Sequence, residues 1–235
     1  MNRNFVITSL SLFVWGLGEG LFILFQPIYL LELGAQTVEI GIIFSGMGLM
    51  STLSQVPAGY LSDRFGARRL MWFSWVFGTI AAILMAVAPS LPLFVIALWL
   101  YGFTGSVLAP MNSYITSVRG SLTTERALTI TSAAYNLGAV IGPTIGGLIA
   151  NCYELKIIYS IAAIMFILSS SLIFLIKKPD KEIHLPQGEE RNLIHNNAFI
   201  RLLAFGFSLL FFMVFTQNFS TVYLQDIKNF NLQQI

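Results

Sequence analysis

The stretch Gly59-Tyr60-Leu61-Ser62-Asp63-Arg64-Phe65-Gly66-Ala67-Arg68-Arg69-Leu70 gathers one aspartate and three arginines between two long apolar runs, Glu39–Leu61 and Leu70–Ala88. About 20 predominantly apolar residues suffice to cross a bilayer as a helix. The stretch is therefore read as a short loop at a membrane surface, joining two spanning helices. A loop that merely fixed topology would need its arginines but neither Asp63 nor the glycines at these places. Gly66 and Gly59 suit a tight turn or a close approach between helices. Asp63, amid three guanidinium groups, can accept charge-assisted hydrogen bonds or face the positive end of a neighbouring helix.

The rest of the chain follows the same pattern. Of its 235 residues 56% are hydrophobic and 10% are charged, and the mean hydropathy is +0.75. Soluble domains carry about 25% charged residues, so this sequence cannot furnish a water-exposed surface for a globule of its size. A soluble enzyme, a disordered chain and an electrostatic nucleic-acid binder are excluded together. A net charge of +2 calls for no polyanionic partner. A single cysteine, Cys152, excludes an internal disulfide framework, and His184 and His195 have no zinc-ligand spacing, so no metal or cofactor is expected.

Working outward from the loop, seven spans are expected, at Phe5–Leu31, Glu39–Leu61, Leu70–Ala88, Pro92–Val118, Ala127–Ala150, Ile157–Ile176 and Leu202–Leu224. The first is too long for a signal peptide and has no small-residue cleavage site. This predicts an all-α polytopic membrane protein: a six-helix N-terminal bundle over 1–176, a cytoplasmic linker over 177–197, and over 198–235 the first helix of a second bundle. The linker is polar and holds Pro179 and Pro186. Arg3, Arg64, Arg68, Arg69, Arg119, Arg126 and the basic residues from Lys177 to Arg201 share one side, whereas Lys156 and Lys228 are all that remain for the other. Basic residues stay in the cytoplasm, so the N-terminus is expected there and the chain in the plasma (inner) membrane. A seven-helix receptor of the rhodopsin type would need the opposite orientation. Tyr29-Leu30-Leu31-Glu32-Leu33 is echoed by Tyr223-Leu224-Gln225-Asp226-Ile227, as in transporters built from repeated halves. On that reading the chain stops where an eighth helix should begin. It is expected to be truncated and to lack a C-terminal helical bundle as partner.

The loop motif resembles the signature between helices two and three of the major facilitator superfamily, G-x-L-x-D-[RK]-x-G-R-[RK]. The match lies at Gly59, Leu61, Asp63, Arg64, Gly66, Arg68 and Arg69, with Ala67 at the family's first basic position. The resemblance implies a gating element that holds two bundles together. In the fifth span, Gly138-Ala139-Val140-Ile141-Gly142-Pro143-Thr144-Ile145-Gly146-Gly147 resembles the motif of the superfamily's antiporters. Glycines four apart admit another helix backbone, and Pro143 is expected to kink the helix. The family's proton-coupled exporters often carry an arginine four residues before a fourth-helix glycine, but here Leu98 precedes Gly102.

Glu19 is the one charge expected in mid-membrane, about 21 Å along its helix at 1.5 Å per residue. A carboxyl there must face a cavity or be protonated. Thr8, Ser11, Trp15, Glu19, Phe22, Gln26 and Tyr29 recur at steps of three and four and are expected to line that cavity together. Asn112, Tyr135 and Asn136 are further polar candidates for its wall. The resulting expectation is a secondary transporter of a small-molecule solute, working by alternating access and oriented toward export. Glu19 would serve as the proton or cation-substrate site, with Trp15 and Gln26 beside it. An inactive fragment or a non-transporting membrane scaffold is the alternative from another class.

Overall fold

The computed structural model describes residues 2–179 and 196–226, with side chains of the last helix described to Met213. Among the described residues the chain is all-α. The helices are α1 (Arg3–Ile23), α2 (Gln26–Glu32), α3 (Thr37–Phe65), α4 (Ala67–Val87), α5 (Leu91–Gly102), α6 (Leu108–Val118), α7 (Thr124–Cys152), α8 (Leu155–Phe174) and α9 (Asn197–Asp226), with a 3-10 turn at Phe103–Val107 between α5 and α6. Six segments are long and apolar enough to cross a membrane: α1, α3, α4, the α5–α6 unit, α7 and α8. The expected seventh span lies within α9, whose apolar stretch among the described residues, Asn197–Met213, is shorter. Most of the expected linker, including His184 and His195, lies outside the described residues, as does the echo from Ile227 onward.

Two expected spans are broken, each beside a proline. The first ends at Ile23 and restarts at Gln26, with Pro27 in the first turn of α2. Proline lacks the amide that would continue the ladder and its ring crowds the carbonyl four residues back, here that of Ile23. The fourth tightens into the 3-10 turn just before Pro110, which leaves the Ser106 carbonyl without its helical donor. By contrast α7 runs as one helix through Pro143.

Polar side chains fix how the helices pack. Ser11 Oγ lies 2.9 Å from Ser169 Oγ, and Trp75 Nε1 donates to both, at 3.1 and 2.9 Å. All three residues are buried, so α1, α4 and α8 share one satisfied hydrogen-bonded knot, worth more in low dielectric than the same bonds in water. At the end that carries the arginines, Asn4 grips both backbone groups of Lys177: its Nδ2 donates to the carbonyl at 3.4 Å and its Oδ1 accepts from the amide at 3.2 Å. Tyr114 Oη donates to the same carbonyl at 2.8 Å. The chain thus leaves the bundle from a fixed point between α1 and α6.

α1 lies centrally, packed most extensively on α7 and next on α8. Its glycines explain this. A Cβ on Gly20 would sit 2.7 Å from the Ala139 carbonyl oxygen, one on Gly142 2.6 Å from Gly20 Cα, and one on Gly18 2.9 Å from Met165 Cβ. Gly16 abuts the Tyr135 carbonyl, Gly138 that of Phe13, and Gly146 that of Leu21. Two helix backbones meet here with almost no side chain between them, the arrangement that small residues permit inside lipid.

Candidate functional site

That glycine seam positions the acid. With Gly16 and Gly20 pressed on α7, the side chain of Glu19 emerges beside Tyr135, whose Oη donates to Glu19 Oε2 at 2.9 Å. Both open onto a cavity of about 300 Å³ formed by α1, α4, α5, the 3-10 turn, α6 and α7. Trp15, Trp75, Tyr101 and Asn136 contribute to its wall. The lining is mainly apolar, and its aromatic part is ordered. Trp15 lies parallel to Tyr101 with centroids 6.4 Å apart, tilts against Trp75 at 5.1 Å and meets Phe166 edge-on at 4.3 Å. Phenol and indole groups of Tyr101 and Trp15 also flank the Glu19 carboxyl. Chemically this is an acid held by the Tyr135 hydroxyl in an apolar, aromatic chamber. It can exchange a proton with a solute, or pair with a cation whose apolar body rests on the rings.

The expected face of α1 divides. Trp15 and Glu19 reach the cavity, as do Tyr135 and Asn136 from α7. Thr8, Ser11, Phe22, Gln26 and Tyr29 are instead buried in the bundle. Ser169 of α8 and Trp75 of α4 close over Ser11, and Tyr101 and Phe94 of α5 with Tyr159 of α8 cover Phe22 and Tyr29. Gln26 lies beyond the helix break, its Nε2 buried and unpaired among the described residues. Asn112 is exposed outside the cavity, while its neighbour Met111 is on the wall. Asn136 spends its amide on the Ser132 carbonyl at 2.8 Å.

The arginine-rich loop is a sharp corner between α3 and α4. Gly66 holds it with φ +86°, donating its amide to the Ser62 carbonyl at 2.9 Å. Arg68 lies over the Trp72 ring at 4.6 Å and Arg64 over Phe65 at 5.6 Å. Asp63 and Arg69 are exposed. Gly59 is helical, and a Cβ there would meet nothing within 4 Å, so its expected close approach is not made to any described part of this chain. Gly147 is buried with Gly146 in α7. At the opposite end of the bundle partial desolvation, and then the nearby Glu154 charge, push Glu32 above the usual carboxylate range.

Sequence reasoning missed two parts of the site. The Gly16–Gly20 pair reads as ordinary in the sequence, and the signal that could have found it is its spacing of four, which matches Gly138–Gly142 across the seam. The hydroxyls of Ser74 and Thr104 carried no such signal, because isolated serines and threonines are ordinary in membrane helices.

Comparison with known proteins gives one consistent answer. The family model described as Major Facilitator Superfamily matches residues 8–235. An uncharacterized MFS-type transporter of Methanocaldococcus jannaschii is 27% identical over 74% of this chain and 46% of its own length. Multidrug resistance protein MdtG of Escherichia coli is 30% identical over 71% of this chain and 42% of its own. The chain thus spans about half the length of the curated relatives it matches. Among solved structures, a bacterial homolog of the human lysosomal transporter Spinster, inward-facing and unoccupied, aligns with TM-score 0.72 and 14% identity over 98% of this chain and 56% of that one. The human organic anion transporter MFSD10 aligns with TM-score 0.61 and 17% identity over 74% of this chain and 47% of that one.

Proposed function

The chain belongs to the Major Facilitator Superfamily, and from that premise we propose that it forms the N-terminal half of a secondary transporter that exports a small-molecule solute. The observation that carries this reading is the Glu19–Tyr135 pair, 2.9 Å apart, at the edge of an aromatic cavity near mid-membrane. An intramembrane acid on a cavity is a functional group by default. Alternating access follows from the family architecture: a second bundle closes the cavity, and the two halves rock about it. That the curated relatives are roughly twice as long supports such a bundle as partner. Export is supported by the antiporter-like Gly138–Gly147 string and by the relative named for multidrug resistance.

On this reading the arginine-rich end is cytoplasmic, and Asp63 with Arg64, Arg68 and Arg69 gates the two halves. The exposed Asp63 is free to meet the second bundle while Gly66 holds the corner. Glu19 is the proton or cation-substrate site, with Trp15, Tyr135 and Asn136 around it. The Gly142–Pro143 region is the packing hinge.

The test is Glu19→Gln in the protein that carries this chain, reconstituted in vesicles under a proton gradient. Gln keeps the shape and most hydrogen bonding of a protonated carboxyl but cannot titrate. Gradient-driven transport, or preference for cationic solutes, should be lost while folded protein is recovered normally. Normal transport between about pH 6 and 8 would make Glu19 a packing residue.

A further inference from the structure

A second cavity, of about 310 Å³, lies between the C-terminal half of α3, the N-terminal half of α4 and the 3-10 turn. Its walls are apolar, from Pro57, Ala58 and Leu61 on one side to Phe77 and Phe103 on the other. It opens outward, because Phe73, Phe77 and Phe103 at its rim are 61%, 46% and 40% exposed. On a bundle that spans the membrane, the mouth lies in the half nearer the arginines, and wherever the second bundle leaves it uncovered it faces hydrocarbon.

This groove and the Glu19 cavity share a wall. Ser74 lines both. Along the 3-10 turn the residues sort by side: Phe103 and Ser106 face the groove, whereas Thr104, Gly105 and Val107 face the Glu19 cavity. The turn is one residue layer thick, and Ser74 Oγ lies 3.1 Å from Ser106 Oγ across its edge. It is also the one stretch of 3-10 backbone among the described residues. Its hydrogen bonds have the poorer 3-10 geometry, which within a helix often marks a hinge, and Pro110 removes the donor that would have tied Ser106 into an α-helix. Gly102 and Gly105 let the turn lie directly on α3, against the Met47 carbonyl and the Ser51 side chain.

We propose that the groove is a binding subsite for lipophilic solutes dissolved in the bilayer, and that the 3-10 turn with Ser74 is the partition they pass to reach Glu19. The occupant is apolar or weakly polar, since the groove offers nothing ionic and its three serines are the polar part of its lining. A volume near 300 Å³ is at the small end of ligand pockets, which fits a one- or two-ring solute rather than a whole phospholipid. The proposal rests on the transporter reading for its purpose, but the path itself is tested without transport.

The probe is a small apolar photoreagent, iodophenyl-trifluoromethyl diazirine, added in phosphatidylcholine vesicles to the protein that carries this chain together with the second bundle, with adducts mapped by peptide mass spectrometry. Adducts should concentrate in the groove, at Phe73, Phe77 and Phe103, and in the inner cavity, at Trp15 and Met111. Both should exceed the lipid-facing surface of α8 at Ile164 and Leu168. A Ser74→Cys/Ser106→Cys pair in a Cys152→Ala background should, when oxidised, lose inner labelling several-fold while groove labelling persists, and reduction should restore it. Ser74→Ala, which deletes the Ser74–Ser106 bond, should raise inner labelling about fivefold, the weight of one neutral hydrogen bond. Groove labelling no higher than on α8, as for a groove filled by a packed helix or a held acyl chain, overturns the subsite. Inner labelling indifferent to both substitutions overturns the path. Neither result touches Glu19, and a Glu19→Gln chain that transports normally leaves the labelling pattern as it stands.

Discussion

The two sides of this bundle use the same residue type in opposite ways. Along the α1–α7 seam, Gly16, Gly20, Gly138, Gly142 and Gly146 each have a backbone or side-chain atom where a Cβ would go. Along α3, Gly48 and Gly59 have nothing within 4 Å of that position. The burial differs accordingly: 50% of the apolar stretch of α1 is buried within the chain and 17% of that of α3. Glycine spacing therefore announces close packing without saying which partner does the packing. The seam is finished within this chain and holds the acid in place. The α3 side carries the arginine corner and the open groove, and there Gly48 and Gly59 face outward although Gly46 packs on Trp99.

The largest expected effect tests whether the seam is finished. Gly142→Leu puts a branched side chain where Gly20 Cα already stands, and no rotamer avoids it because the obstacle is backbone. The helices must part, at a cost of about 3 kcal/mol or more, at the upper end for overpacked cores. Folded chain recovered in detergent should fall sharply, and Glu19 should lose its Tyr135 donor. Near-normal thermal unfolding of Gly142→Leu would mean that the seam is loose and that the two sides of the bundle do not differ as described.

Tyr135→Phe is the next in size, since it removes one hydroxyl and leaves the seam intact. Glu19 loses its 2.9 Å donor, which for a bond to a carboxyl is worth about 1–3 kcal/mol. Stability should drop by that order, and the pH dependence of transport should shift while Tyr135→Ala adds a packing loss. An unchanged pH profile in Tyr135→Phe would remove the tyrosine from the site and leave it on the wall. Smaller again is Gly66→Ala at the α3–α4 corner. A residue with a Cβ at φ +86° is strained, by about 1–2 kcal/mol, and thermal unfolding should show it.

The sequence made the architecture legible because lipid imposes simple rules: length and hydropathy locate spans, and arginines mark one end. It made the cavity beside Glu19 legible for the same reason, since an acid cannot stand in hydrocarbon unexplained. Trp15, Tyr135 and Asn136 followed from spacing and polarity. What stayed hidden depended on three-dimensional neighbours. Gln26 falls on the face of Glu19 only by counting through a helix that in fact ends at Ile23, and no periodicity carries across such a break. Asn112 stands one residue from Met111, which lines the cavity, and the preceding 3-10 turn alters the rotation that counting in α-helical steps assumes. Gly16 and Gly20 looked ordinary because their significance lies in Gly138 and Gly142, more than a hundred positions away.

The smallest effect carries the opposite sign, and it decides what the open side of α3 is for. Glycine inside a helix costs about 0.8–1 kcal/mol relative to alanine, and at Gly59 the added Cβ has no atom to meet within this chain. Gly59→Ala should therefore stabilise the chain by itself, by somewhat less than about 1 kcal/mol, read as a small upward shift in thermal unfolding. If a second bundle packs on α3 beside the arginine corner, as the transporter reading requires, the same methyl group intrudes on that contact. Transport by the protein that carries both halves should then fall although the half described here has become more stable. A variant that gains stability and keeps full transport would show that no backbone approaches Gly59 in the working protein. The gate would then rest on Asp63, Arg64, Arg68 and Arg69 alone, with Gly66 needed only to turn the corner, and the outward glycines of α3 would differ from those of the seam in having no partner at all.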